Sequence, residues 1–171
     1  DMEPAARPAS GELVAGDGWL LQKGYTVAWC GWQHDLPDEP GRMRILVPEA
    51  LEEGKPLTGR VFCQFQPNEM TQVLLLSHAG HRPYNAVDVH ESAAALGVRD
   101  YPDAPAQIIP RDRWSFARLD GDRAVEDSRY IYYPEGFLPG KHYEVVYKAV
   151  GAPLTGLGLA ATRDFASFLR H

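Results

Sequence analysis

Short strand-like segments separated by turn residues dominate the sequence from residue 41 to residue 150, and this pattern constrains the fold most. Val61, Cys63 and Phe65 alternate with polar residues, and Thr71 to Leu76 is a compact apolar run. An apolar residue at every second position is typical of a strand with one buried face. Similar segments lie at residues 43–47, 114–116, 129–133 and 142–150. Regularly spaced short strands of this kind predict an antiparallel sandwich or a curled sheet.

The two ends of the chain have a different pattern. Near the start, an apolar patch around Trp19 predicts a short helix that Gly24 closes in a left-handed conformation. The near-continuous apolar run Tyr25 to Trp29 predicts a strand buried on both faces of a parallel sheet. Near the end, apolar residues recur at helical spacing from Leu157 to Leu169, which predicts an amphipathic helix. Thr155 or Gly156 is its expected N-terminal boundary.

Four separated segments follow one another in a recognisable order. They are GYTVAWCGWQ (residues 24–33), PRDRWSFA (110–117), GFLPGKHYEVVY (136–147) and the region that begins with GLGLAATRDF at residue 156. In this order they resemble a bacterial group of α/β-hydrolase-domain proteins, and the resemblance covers nearly the whole chain. Members of that group look like serine esterases.

The resemblance implies the α/β fold class: part of an α/β-hydrolase sheet with a large, β-rich, mostly antiparallel insertion and few helices. Residues 1–35 would then form a helix and a strand of the hydrolase core, and residues 36–152 would form the insertion. Residues 153–171 would form the core helix that precedes the nucleophile strand.

A nucleophile elbow, Gly-x-Ser-x-Gly, is expected directly after such a helix. None of the six serines has the elbow glycines; they are Ser10, Ser77, Ser92, Ser115, Ser128 and Ser167. We therefore expect an internal fragment of a carboxylic ester hydrolase that is inactive by itself and contains no catalytic residue. Its partner in the full-length protein would be a small-molecule ester, and no cofactor is expected. The alternative is a non-catalytic β-sandwich binding module for a carbohydrate or a protein partner.

Candidate substrate-pocket residues follow the predicted parallel strand. They are Gly31, Trp32 and Gln33, because ligands of open α/β sheets bind outside the carboxyl ends of the strands. Trp32 would supply an aromatic wall and Gln33 an amide, whereas packing between sheet and insertion is the alternative role. A Cys30 nucleophile with His34 as its base lacks the electropositive surroundings that lower a thiol pKa.

Three further residue groups suggest binding chemistry. His78, His81 and His90 are weak metal-ligand candidates, because their spacing matches no defined zinc site and solvated loop histidines are the alternative. Asp120-Gly-Asp122 resembles part of a calcium loop but is typical of a hairpin turn. Five tyrosines could form a sugar-binding aromatic platform or pair across strands in a core. They are Tyr130, Tyr132, Tyr133, Tyr143 and Tyr147.

Composition excludes some classes of partner. A formal net charge of -6 and scattered basic residues argue against nucleic acid, which requires a basic face. No apolar run approaches the roughly 20 residues that span a bilayer, so we expect no membrane partner. No signal-peptide pattern is present, and the cellular compartment stays open.

Overall fold

The computed structural model of the protein describes residues 16–29, 31, 33–37, 39, 42–77 and 81–170. The described residues belong to two compact units. One combines residues up to Pro48 with residues from Leu154 onward, and the other is Glu49–Pro153.

Eleven strands and two α-helices form the regular structure of the described residues. The strands are β1 (Leu51–Glu52), β2 (Lys55–Pro56), β3 (Thr58–Phe65), β4 (Thr71–Leu75), β5 (Asn85–Ala86), β6 (Ala95–Arg99), β7 (Gln107–Ile109), β8 (Ala117–Asp120), β9 (Arg123–Glu126), β10 (Tyr130–Phe137) and β11 (His142–Val150). The helices are α1 (Trp19–Gln22) and α2 (Leu157–Phe168), and a 3₁₀ turn covers Arg111–Arg113.

A five-stranded antiparallel sheet forms the larger layer of the Glu49–Pro153 unit. Its order is β3-β11-β6-β7, and β5 pairs with the last two residues of β11. β11 is the central strand, and its inward residues Tyr143, Val145 and Tyr147 are buried as the alternating pattern predicts. At the edge, Val61, Cys63 and Phe65 of β3 pack against the same core.

The second layer is built on β10, which pairs antiparallel with β4. Ser115 joins the other side of β10 through two backbone hydrogen bonds with Tyr132, of 3.0 and 2.8 Å. β8 and β9 form the hairpin predicted at Asp120-Gly-Asp122: Asp120 pairs with Arg123 across the turn. Residues from both layers meet in one hydrophobic core. Its largest fully buried side chains are Leu76, Leu96, Phe116, Ile131, Phe137, Val145 and Tyr147.

The α/β fold class predicted from the sequence is wrong. All strand pairings of the described residues are antiparallel, so the fold is β-rich and is not part of an α/β-hydrolase sheet. The run Tyr25 to Trp29, predicted as a buried parallel strand, has no strand structure, and Tyr25 is 60% exposed. An apolar run does not show which strand, if any, would form hydrogen bonds with its backbone. Among the described residues, no strand pairs with Tyr25 to Trp29.

Both helices lie in the unit that contains the residues before Glu49 and after Pro153. α1 ends as predicted: Gly24 has a φ of +79°, and the Tyr25 amide donates to the Leu20 carbonyl at 3.0 Å. The predicted terminal helix is confirmed as α2, which begins after Gly156. In the described part of the chain, no helix has the length and apolar character needed to cross a bilayer.

Candidate functional site

A register shift in β10, which we describe as a β-bulge, lies beside a concave surface of the Glu49–Pro153 unit. β10 pairs with β4 in regular register up to Tyr132↔Val73, and the register then shifts before Phe137↔Thr71. The bulged segment contains Gly136, whose φ of +86° is a backbone conformation that favours glycine. Bulges bend a strand and redirect its side chains, and Glu135 lies beside the cleft that opens here.

This cleft, which we call the bulge cleft, has a volume of about 380 Å³ and lies between the β10 bulge and the adjoining ends of β6, β7 and β11. Its apolar lining consists of Val98, Pro105, Ile108, Ile109, Pro110, Gly136 and Leu138. Its polar and aromatic lining consists of Asp100, Gln107, Arg113, Tyr133, Glu135, Lys141 and Tyr143. The volume falls in the range of about 300–1,000 Å³ that small-molecule sites occupy.

The charged side chains of the bulge cleft are paired with one another. Arg113 Nη2 contacts Glu135 Oε1, and the Tyr133 hydroxyl donates a hydrogen bond of 2.8 Å to Glu135 Oε2. Lys141 Nζ contacts Asp100 Oδ1. The lining therefore carries two cations and two carboxylates, and each carboxylate has a cationic partner.

The two tyrosines that line the bulge cleft pack against a buried phenylalanine. Phe137 is fully buried and lies 5.6 Å from the Tyr133 ring and 4.9 Å from the Tyr143 ring, measured between centroids. The Tyr143 hydroxyl accepts a hydrogen bond of 2.9 Å from the Leu138 amide. These contacts fix both tyrosines before a ligand arrives, which lowers the entropic cost of binding.

The Arg113–Glu135–Tyr133 network shifts the pKa of each of its members. The hydrogen bond from Arg113, followed by that from Tyr133, lowers the pKa of Glu135, and the same contact with Glu135 raises the pKa of Arg113. Burial, followed by the hydrogen bond to Glu135, raises the pKa of Tyr133. At neutral pH the network therefore consists of a carboxylate, a guanidinium and a protonated phenol.

We expect the Glu135 carboxyl group to titrate below its ordinary range, because protonation disrupts its contacts with Arg113 and Tyr133. A lowered native pKa adds stability above the unfolded-state pKa, and this stability is lost as the pH falls through the native value. Carbon-detected NMR titration of the glutamate side chains measures the midpoint. In Arg113→Gln the midpoint should rise, whereas in the control Arg123→Gln, on β9, it should not move. Equal midpoints in wild type and Arg113→Gln would contradict the network.

Gly31 and Gln33, two of the sequence-predicted pocket residues, do not line this cleft. A Cβ on Gly31 would come within 2.5 Å of the Arg44 amide nitrogen, so glycine is required there by close backbone approach. The side-chain Nε2 of Gln33 donates to Asp35 Oδ1 at 2.9 Å, and the backbone carbonyl of Gln33 accepts from the Ile45 amide at 3.1 Å. Trp32 lies outside the described residues. The described neighbours of Gly31 and Gln33 are residues 35 and 43–45, and the assignment of Gly31 and Gln33 to a substrate pocket stays a prediction.

The remaining candidates are dispersed. His90 is exposed and lies 3.4 Å from Glu126, whereas His78 lies outside the described residues. Among the residues that the structure describes, no three histidine, cysteine or acidic side chains are grouped as metal ligands. Cys30 lies outside the described residues, and the described Cys63 is a half-buried free thiol whose pKa is raised by burial.

The five tyrosines do not share one surface. Tyr133 and Tyr143 line the bulge cleft, and Tyr147 is fully buried and donates to the Tyr84 carbonyl at 2.7 Å. Tyr130 lines a separate open groove beside β4.

Arg113 and Glu135 were not predicted from the sequence as site residues. Proline and glycine on either side of Glu135, inside an otherwise strand-like segment, were the available signal of a bulge.

A larger concavity of about 730 Å³ lies beside β3 and β11. Its lining includes Gln64, Asn68, Ser77, His142 and Glu144. Glu144 Oε2 already accepts a hydrogen bond of 3.1 Å from Arg99 Nη2, and Oε1 accepts one of 3.3 Å from Gln64. The bulge cleft is the stronger candidate site, because it is lined by two tyrosines that are packed against Phe137, whereas the lining of this wider concavity contains no tyrosine.

Comparison of the chain with protein-family models, with curated proteins and with solved structures found no match in any of the three.

Proposed function

We propose that the Glu49–Pro153 unit is a binding module that holds a small polar molecule in the bulge cleft without transforming it. The observation that carries this proposal is the Arg113–Glu135–Tyr133 network, which shares the lining of the bulge cleft with the packed ring of Tyr143. A concave site with mostly apolar walls and a few convergent polar groups is the usual form of a small-molecule site. This is the binding-module alternative raised by the sequence, now attached to named residues.

The protonation states of the network favour binding over catalysis. A general acid or base works best when its pKa lies near the working pH. The pKa of Glu135 is shifted downward and that of Tyr133 upward, so both move away from neutrality. Glu135 thus offers acceptor oxygens and Arg113 offers donors, and neither is suited to exchange a proton with a substrate at neutral pH.

Binding is tested by NMR titration of the isotopically labelled chain with a collection of small polar molecules. We expect at least one compound to shift the backbone amides of residues 107–113 and 133–143 together. Glu135→Gln should lower the affinity for that compound, because it removes a charged acceptor. Glu126→Gln, on β9 and outside the cleft, is the matched control and should leave the affinity unchanged. If no compound shifts these amides, or if both variants weaken binding equally, the proposal fails.

The esterase hypothesis rests on the resemblance alone, and from it we expect no ester hydrolysis by this chain. The reason is that none of its serines lies in a Gly-x-Ser-x-Gly elbow. The purified chain is incubated with short and medium p-nitrophenyl esters. The rate should equal that of the buffer blank. Turnover above background that a serine-directed phosphonate abolishes would contradict both this expectation and the binding-module proposal.

A further inference from the structure

We infer that the ligand of the bulge cleft is a neutral sugar ring. This inference rests on the proposed binding function and adds the chemical class of the ligand. Three features of the cleft lead to it: balanced charges, adjacent donors and acceptors, and exposed apolar walls beside them.

The balanced charges disfavour an ionic ligand. Arg113 contacts Glu135 and Lys141 contacts Asp100, so the side-chain charges of the lining cancel. An anion attracted by Arg113 would meet Glu135 beside it, and a cation attracted by Glu135 would meet Arg113. Either ligand must break an existing pair or accept repulsion from a like charge, and such repulsion is how sites reject the wrong partner.

The paired groups retain hydrogen-bonding capacity that a hydroxyl group matches. A guanidinium has five N–H donors and a carboxylate about four acceptor positions, so one contact leaves others unused. Glu135 accepts from Arg113 and Tyr133, and its remaining lone pairs lie next to the remaining donors of Arg113. A hydroxyl both donates and accepts, so one hydroxyl can donate to Glu135 and accept from Arg113. Gln107, which also lines the cleft, offers a further amide donor and acceptor.

The apolar walls of the cleft match the C–H faces of a sugar ring. Ile108 is 67% exposed and Leu138 44% exposed, and both line the cleft together with Pro110. A pyranose presents C–H groups on its faces and hydroxyls around its rim, so its faces can cover these side chains while its rim meets the polar network. Burial of such apolar area adds affinity without adding charge.

The test compares three methyl glycosides that share one ring: methyl glucoside, methyl glucuronide and methyl glucosaminide, which are neutral, anionic and cationic. The same triplet is prepared in the galactose configuration. Dissociation constants come from amide shifts of the labelled chain. In at least one configuration we expect the neutral glycoside to bind about tenfold more tightly than either charged one.

Variants that unbalance the charge should abolish this preference. Glu135→Gln leaves the Arg113 charge uncompensated, so the glucuronide-to-glucoside affinity ratio should rise about tenfold. Arg113→Gln leaves the Glu135 charge uncompensated, so the glucosaminide-to-glucoside affinity ratio should rise instead. Glu126→Gln serves as the control and should leave both ratios unchanged. Because the readout is a ratio, a general loss of affinity does not imitate it, and the wild-type ratios decide the matter if a variant fails to fold.

The outcomes separate the two proposals. Preference for the neutral glycoside, with opposite shifts in the two variants, supports the inference. If wild type binds a charged glycoside best, or binds other compounds of the polar collection but no glycoside, the sugar assignment is overturned and the binding function stands. If no compound of either set shifts the cleft amides, the binding function itself is overturned.

Discussion

Replacing Phe137 with alanine should destabilise the Glu49–Pro153 unit by about 4 kcal/mol, the middle of the range for truncating a buried phenylalanine. Phe137 is fully buried, and its ring contacts both Tyr133 and Tyr143 at 5.6 and 4.9 Å between centroids. Removing it leaves a cavity next to Tyr133 and Tyr143, which line the bulge cleft. Hydrogen exchange of the β11 amides reports opening of the unit and measures the loss.

Phe62→Ala is the matched control for Phe137→Ala. Phe62 lies on the edge strand β3 and is 56% exposed, so its truncation removes little buried area, and we expect a loss below about 1 kcal/mol. Phe137→Ala should also broaden or shift the amide signals of Tyr133 and Leu138. The Phe137 ring packs against Tyr133 directly and against Tyr143, whose hydroxyl accepts the hydrogen bond from the Leu138 amide. Similar losses in the two variants would contradict the assignment of Phe137 to the core.

The strands with an alternating pattern could be predicted because their periodicity is set by a single buried face. Val61, Cys63 and Phe65 pack against the core as expected, whereas Phe62 between them is exposed. The hairpin turn at Gly121 and the start of α2 after Gly156 were also predictable, because both depend on local backbone chemistry. Local signals of this kind need no knowledge of distant contacts.

The fold class could not be read from the run Tyr25 to Trp29. Its apolar character is equally compatible with a buried strand and with irregular chain, and only a pairing partner distinguishes the two. The division of the chain at residues 1–35, 36–152 and 153–171 stays a prediction, since it was derived from the hydrolase resemblance. The antiparallel pairing of β11 with both β3 and β6 shows why strand order is not a property of one segment.

The bulge cleft was not predictable because its charged residues come from four separate places in the chain. Asp100 follows β6, Arg113 ends the 3₁₀ turn, Glu135 lies in the bulge and Lys141 precedes β11. The pairing of His142 with Arg99 brings the flanking residues Lys141 and Asp100 together. Such a site follows from sheet register, which depends on pairing along the entire sheet.

Arg111 shows how the turn that presents Arg113 is held. Its guanidinium donates to three backbone carbonyls: Nε to Glu91 at 3.0 Å, Nη2 to Val89 at 2.9 Å and Nη1 to Trp114 at 2.8 Å. Its Cζ atom also lies 4.3 Å from the centroid of the Trp114 ring. Burial lowers the pKa of Arg111, yet a guanidinium remains charged at physiological pH. One side chain therefore joins the loop before β6 to the segment that carries Arg113.

Arg111→Ala should destabilise the Glu49–Pro153 unit by about 3 kcal/mol, because it removes the guanidinium donors of the Val89 and Trp114 carbonyls and the cation–π contact with Trp114. The Glu91 carbonyl also loses its bond to Arg111 but keeps one from the Ala94 amide. Arg111→Lys keeps the charge but not the planar fork, so we expect an intermediate loss of about 2 kcal/mol. The control is Arg123→Ala. Arg123 is an exposed residue of β9, so its loss should stay below about 1 kcal/mol. Urea unfolding followed by hydrogen exchange of β11 ranks the three variants. If Arg111→Lys is as stable as wild type, the charge alone is sufficient and the three-carbonyl fork does not stabilise the turn.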